Sequence, residues 1–373
     1  MVLMGRSGRR SHAACQKIQM VRGNRGSGIT ETNLCPLKLA VGLLPVVMLA
    51  GCARSDVIDG VPSVGAPSTF MGTLPCADCP GIDYHLNLLD DGVYFLQTTY
   101  QEREDGVFDD IGRFFFSSDA QALALHGDHD QPLFFEIVTV DKLQLLDRSA
   151  RKIDSELNYQ LTRAPHFEPI EPQSVFEGMY RYFADTGYFR ECTTGKRLMV
   201  AAEADNRALE EAYLAAIDNP SADALVRLEG RIRQQPSAEG VGAVWALLPK
   251  RFIELQPDQI CSDPVKRAEL KNTQWRALPP LRFQPHLLLR DDGSLVGFDG
   301  CNRIIGRYEL RGFSIRFLGM ATTKMSCFEG MEQAARFMEA LESVRHYKII
   351  GSRLEMLDQS GNLKLSFEGI EVE

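Results

Sequence analysis

From about Thr69 onward, apolar and polar residues alternate in short runs broken by turn residues. In Asp83 to Leu89, Tyr84, Leu86 and Leu88 face one way, which is strand spacing. Asp90-Asp91-Gly92 makes a turn, and Val93 to Tyr100 resumes extended character. Further strands are expected at Arg113 to Ser117, Leu133 to Thr139, Lys142 to Leu146 and Leu157 to Leu161. No helical period of useful length interrupts them. Many short strands with close turns predict a small antiparallel barrel over residues 69–164.

Pro165, Pro169 and Pro172 mark a linker, and a second part spans 175–262. Strands are expected at Gly178 to Phe183, Tyr188 to Glu191, Arg197 to Ala201, Leu225 to Arg231, Ala243 to Leu248 and Phe252 to Leu255. Leu209, Tyr213, Ala216 and Ile217 follow helical spacing, with Asp205 able to cap them and Pro220 to stop them. This count of strands with one helix fits an OB-like barrel. A third part, 268–373, again reads as strands, at Trp275, His286 to Arg290, Ser294 to Phe298, Gly306 to Leu310 and Phe313 to Leu318. A helix is expected over Gly330 to Val344, with Met331, Ala334, Ala335, Met338 and Leu341 packing as core. Three extended segments after it, Tyr347 to Ile350, Arg353 to Leu357 and Leu363 to Glu368, close the chain. The fold class is therefore mainly β with a few helices, in three tandem domains.

The start of the chain has a different pattern. Lys38 precedes an apolar run from Leu39 to Ala50, and Leu49-Ala50-Gly51-Cys52 ends it. A membrane-spanning helix needs about 20 apolar residues, so this run has signal length. Small residues before a cysteine are the pattern of a lipoprotein signal, with residues 1–51 removed and Cys52 carrying lipid. The polar stretch from Met1 to Pro36 is long for a signal flank, and translation is expected to begin downstream, at Met20. Residues 52–68 hold Pro, Gly and Ser without periodicity and read as a flexible tether.

Removing the signal changes the charge. Seven of the 41 Lys and Arg and one of the 50 acids precede Cys52, so the formal charge falls from −9 to −15. That argues against nucleic acid, whose affinity comes largely from cations on phosphates.

Beyond Cys52 six cysteines remain: Cys76, Cys79, Cys192, Cys261, Cys301 and Cys327. In an exported protein an even number reads as disulfides, and six allow 15 connectivities. For Cys76 and Cys79 three readings stand. A disulfide is the simplest. Reduced, the two soft thiolates suit Cu(I), and Met71 lies near in sequence. A thioredoxin-like redox pair would need a helix after the motif to lower the thiol pKa, and Pro80-Gly81 and an alternating strand follow instead. His126-Gly127-Asp128-His129-Asp130 offers metal ligands but reads as a solvated loop. Gly300-Cys301-Asn302 has no paired histidine, since His286 and His346 are isolated in extended segments. No phosphate loop, paired-carboxylate motif or serine hydrolase elbow is present.

The segment GTLPCADCPGI, with two prolines framing the CxxC and a strand behind it, resembles the NlpE family of envelope lipoproteins, also called copper homeostasis proteins. MYRYFADTGYFRECTTGKRLMVA and FIELQPDQIC resemble that family's C-terminal OB domain. There the resemblance implies a bridge between Cys192 and Cys261. Gly297 to Arg303, Met320 to Cys327 and the closing hairpin resemble the META (HslJ-like) domain. Pairing of Cys301 with Cys327 is left open.

The resemblance implies a non-catalytic outer-membrane lipoprotein facing the periplasm. It would act in envelope stress sensing and copper homeostasis, with an inner-membrane stress sensor as partner. In such families an aspartate after the lipidated cysteine favours inner-membrane retention, and Ala53 is not aspartate. No cofactor is required, with copper the one metal in view. The alternatives are a periplasmic thiol-disulfide enzyme using Cys76 and Cys79, and a carrier of a small apolar ligand.

Overall fold

The structure is a computed structural model describing residues 64–370, apart from 128–130, 218, 220, 221, 238, 239, 241, 262–266 and 329. The described residues fall within one compact unit, Asp56–Glu373. Cys52, the tether to residue 63, and Asp128, His129 and Asp130 of the histidine loop lie outside them.

Strand-rich sequence folds here as three closed barrels. The first contains β1 (Ser68–Leu74), β2 (Ile82–Leu88), β3 (Val93–Tyr100) and β4 (Val107–Phe116). It continues through β5 (Ala122–His126), β6 (Leu133–Thr139), β7 (Lys142–Leu145) and β8 (Gln160–Arg163). Every neighbouring pair is antiparallel, and β8 closes onto β1 through Phe70 opposite Arg163. Alternation sends Phe70, Leu86, Leu96, Leu123, Phe135 and Leu161 into the barrel.

The second barrel is β9 (Gln173–Phe183), β10 (Thr186–Glu191), β11 (Arg197–Val200), β12 (Ala224–Pro236) and β13 (Ala243–Gln256), in the order β10-β11-β13-β12-β9. Helix α1 (Asn206–Ala216) lies between β11 and β12. β11 meets β13 in parallel, Met199 opposite Ala246. The expected strands Ala243 to Leu248 and Phe252 to Leu255 are one strand. Pro249 lacks an N–H, and the ladder absorbs it by a register shift: Gly230 faces Pro249 and Glu229 faces Arg251, leaving Lys250 bulged. Asp205 stands at the helix N-cap but its side chain makes no cap bond; Oδ2 instead accepts the Phe252 N–H at 2.6 Å.

The third barrel contains β14 (Gln274–Leu278), β15 (His286–Leu289), β16 (Ser294–Phe298) and β17 (Arg303–Arg311). β18 (Ser314–Thr322), helix α2 (Met331–Ser343), β19 (His346–Ile350), β20 (Arg353–Leu357) and β21 (Leu363–Ile370) complete it. On α2 the buried residues are Ala334, Phe337 and Leu341. Met331 and Ala335 are exposed, a correction to the expected stripe. The wide aromatic ring of Phe337 fills the space against Phe367, with ring centroids 6.2 Å apart.

The first barrel packs against both others. Phe95 on its outer surface meets Trp245 edge-on at 5.0 Å, and Leu89 and Val93 join the core of the second barrel. Phe134 meets Phe313 at 4.9 Å, and Ala122 and Ala124 join the core of the third. β5 is consequently buried on both faces, which erases alternation. That is why no strand signal is visible in its residues. It also corrects the reading of His126 as part of a solvated loop: His126 ends β5, buried against Phe115.

Candidate functional site

Cys76 and Cys79 sit in the loop between β1 and β2 and form a disulfide. The loop is fixed by its base. Gln101 N–H donates to the Gly81 carbonyl at 3.0 Å, and Gln101 Nε2 donates to Asp83 Oδ1 at 2.9 Å. A Cβ on Gly81 would stand 2.6 Å from Thr73 Cγ2, so the close approach of β1 requires glycine there. Asp78, between the two cysteines, pairs with Arg103, whose guanidinium lies 5.2 Å from the Tyr100 ring centre. Among the described residues, Cys76, Asp78 and Cys79 are the one group of three potential metal ligands, their donor atoms all within 4.8 Å of one another. Reduced, the two thiolates fit Cu(I); the carboxylate is a hard ligand already engaged by Arg103. Met71 is half-exposed on β1 and pairs with His85 of β2 in register. Asp78 and Arg103 escaped the sequence reading, although an acid inside the CxxC was a visible signal.

The chain after Gly81 enters β2, not a helix. No helix N-terminus faces the sulfurs, so the electrostatic device that lowers a thiol pKa in thioredoxin-like pairs is missing from this loop.

Cys192 pairs with Cys261 across the second barrel. Cys192 follows β10 in a turn that Glu191 organises: its carboxylate accepts the N–H groups of Thr193 at 2.9 Å and Thr194 at 2.7 Å. The Cys261 N–H donates to Met179 Sδ at 3.3 Å, and Met179 and Leu225 pack around the bridge. Cys301 pairs with Cys327. Asp299, almost wholly buried, accepts the N–H groups of Cys301 at 2.8 Å and Asn302 at 2.6 Å, and Asn302 Oδ1 accepts the Met325 N–H at 2.8 Å. Those bonds explain the Asp-Gly-Cys-Asn run as a turn, with Gly300 at φ +103°.

The histidines stand apart. His126 is held down to about 4 by burial and then by the Arg267 cation, and its Nε2 has no hydrogen-bond partner among the described residues. His346 is lowered by burial and by Arg151. His286 lies on β15 beside Phe298, ring centres 5.9 Å apart.

Residues 70–156 match the family described as NlpE N-terminal domain, 170–262 the NlpE C-terminal OB domain, and 268–368 the META domain. Lipoprotein NlpE of Escherichia coli strain K12 is 31% identical over 231 residues, covering 60% of this chain and 95% of the relative. The crystal structure of the Cpx pathway activator NlpE from Escherichia coli matches at 29% identity, covering 53% of this chain and 98% of that one, with a TM-score of 0.24. A putative lipoprotein from Shewanella oneidensis matches at 25% identity over 27% of this chain and 90% of that one, also with a TM-score of 0.24. With both characteristic domains present in order and nearly the whole length of the Escherichia coli relative covered, the chain belongs to the NlpE family, with a META domain as its third barrel.

Proposed function

We propose that this chain is a non-catalytic outer-membrane lipoprotein that reports envelope stress. Lipid on Cys52 holds it at the membrane, and its barrels face the periplasm. The cysteines respond to redox state or to copper, and the response reaches an inner-membrane sensor protein. The Escherichia coli relative is a Cpx pathway activator, which supports the signalling part. The observation that carries the reading is the Cys76–Asp78–Cys79 loop, surface-lying and free of a helix dipole. Such a loop favours a sensor or ligand over a disulfide-exchange catalyst.

Copper is tested by Cu(I) titration of the reduced chain against a Cys76→Ser/Cys79→Ser variant. Tighter binding by the native pair supports the reading. Equal binding moves the metal elsewhere, and no binding by either ends the copper role. Anchoring is tested by Cys52→Ala, which should leave the protein unlipidated and absent from outer-membrane fractions. Recovery of the native protein chiefly with inner membranes would contradict the sorting expected from Ala53. Rapid insulin reduction dependent on Cys76 and Cys79 would favour the enzyme alternative.

A further inference from the structure

The second barrel carries a cationic and apolar face outside its core. Pairing between β9, β10 and β11 sets Tyr188 between Arg181 and Met199, and sets Arg190 between Met179 and Arg197. Alternation turns these six side chains away from the barrel core, which holds Tyr180, Phe189 and Leu198; five of the six reach solvent at least in part, and Met179 is buried. They line a cavity of about 470 Å³. Its one acid, Asp223, lies 3.5 Å from Arg181 Nε. Tyr188 and Met199 are roughly two-fifths exposed, and Phe183 on β9 and Ile260 beside the disulfide are more exposed still. Met179, on this face, packs against the Cys192–Cys261 bridge.

We propose that this face seats the phosphate headgroup of an anionic phospholipid at a bilayer surface. Arginine forks match phosphate oxygens, and Tyr188, Met199 and Phe183 enter the interfacial layer beside them. Two features select a bilayer over an acidic peptide. The barrel is closed, so an extended segment finds no strand edge to pair with. The described chain begins 12 residues after Cys52, a reach of at most about 40 Å when fully extended. The charge of −15 beyond the signal repels any anionic partner except where cations gather, which confines such binding to a face like this one. The bilayer's proximity rests on the lipoprotein reading above, but the test does not need the lipid.

The experiment is cosedimentation of residues 56–373, the compact unit holding all three barrels, with vesicles of phosphatidylcholine containing phosphatidylglycerol. Binding should exceed that to pure phosphatidylcholine and weaken with salt. A surface cation contributes about fivefold, so Arg181→Gln/Arg190→Gln/Arg197→Gln should weaken binding on the order of a hundredfold. Arg197→Gln alone, at an exposed position, should show the fivefold step even if the triple variant folds poorly. No preference for phosphatidylglycerol, or equal binding by the Arg197 variant, overturns the proposal. So does arginine-dependent binding of poly-glutamate without vesicle binding, which would assign the face to an acidic protein segment. Each outcome is independent of whether Cys52 is lipidated.

Discussion

Removing the Cys192–Cys261 bridge should open the second barrel more than loss of either other disulfide opens its own surroundings. The substitution Cys192→Ser/Cys261→Ser deletes a crosslink spanning 69 positions. In the chain-entropy treatment a loop of that length restricts the unfolded chain by about 4 kcal/mol, one of 26 positions by about 3.5 kcal/mol and one of 3 positions by about 1.6 kcal/mol. Packing adds to the first value, because Met179 and Leu225 are buried in one cluster with the bridge. A domain of this size holds some 5 to 10 kcal/mol in all, so the variant's second barrel should be marginal. Hydrogen exchange read peptide by peptide is the suitable assay, since three barrels in one chain need not unfold together. Amides of β9, β12 and β13 that exchange through opening of the whole domain should exchange roughly a thousandfold faster in the variant, at about tenfold per 1.4 kcal/mol. Peptides of the first barrel's interior should change little. Unchanged exchange in β12 and β13, or a larger effect from Cys76→Ser/Cys79→Ser, would refute the loop-length reasoning.

Phe134→Ala removes a buried ring that meets Phe313, and should destabilise the junction of first and third barrels by about 3 kcal/mol, read as a lower calorimetric transition. Asn87→Ala should destabilise by about 2 kcal/mol in urea unfolding. Its buried amide donates to Thr69 Oγ1 and the Glu168 carbonyl and accepts the Ile170 N–H, so the change orphans groups at the linker. His126 stays neutral in the fold down to about pH 4 but titrates near 6.5 when unfolded. Stability should therefore be full above pH 6.5 and fall between pH 6.5 and 4, by up to about 3 kcal/mol. His126→Phe should flatten that part of the pH profile, and an unaltered slope would remove His126 as its source.

Sequence alone made the barrels visible wherever apolar and polar residues alternate along a strand. Tyr84, Leu86 and Leu88 in β2 are such a case, although the linker covers the polar Asn87 between them. It failed where tertiary packing buries both faces, as in β5, whose Ala-Leu-Ala-Leu-His run has no alternation to detect. It split β13 at Pro249 because a proline ordinarily ends a ladder, and only the partner strand's register reveals the bulge that tolerates it. On α2 the helical period holds but the buried face is rotated from the expected stripe: it takes in Phe337 and leaves Met331 and Ala335 exposed. Of the candidate site, the CxxC and its strand context were readable. Arg103, 25 positions from Asp78, became part of the loop only through the β3–β4 turn.

The order in which the barrels pack differs from the order in which they are made. The first barrel shares core with both later ones, through Phe95 on one side and Ala122, Ala124 and Phe134 on another. A chain crossing a membrane from its N-terminus would thus deliver the shared barrel first, with two greasy flanks and nothing yet to cover them. Its flanks are capped in sequence, the second only when the final hundred residues arrive. A chain interrupted before its third barrel should accordingly leave a folded but adhesive fragment, a natural client for chaperones. A two-barrel relative, with no third barrel to lean on, is expected to carry polar residues where this chain has Ala124 and Phe134.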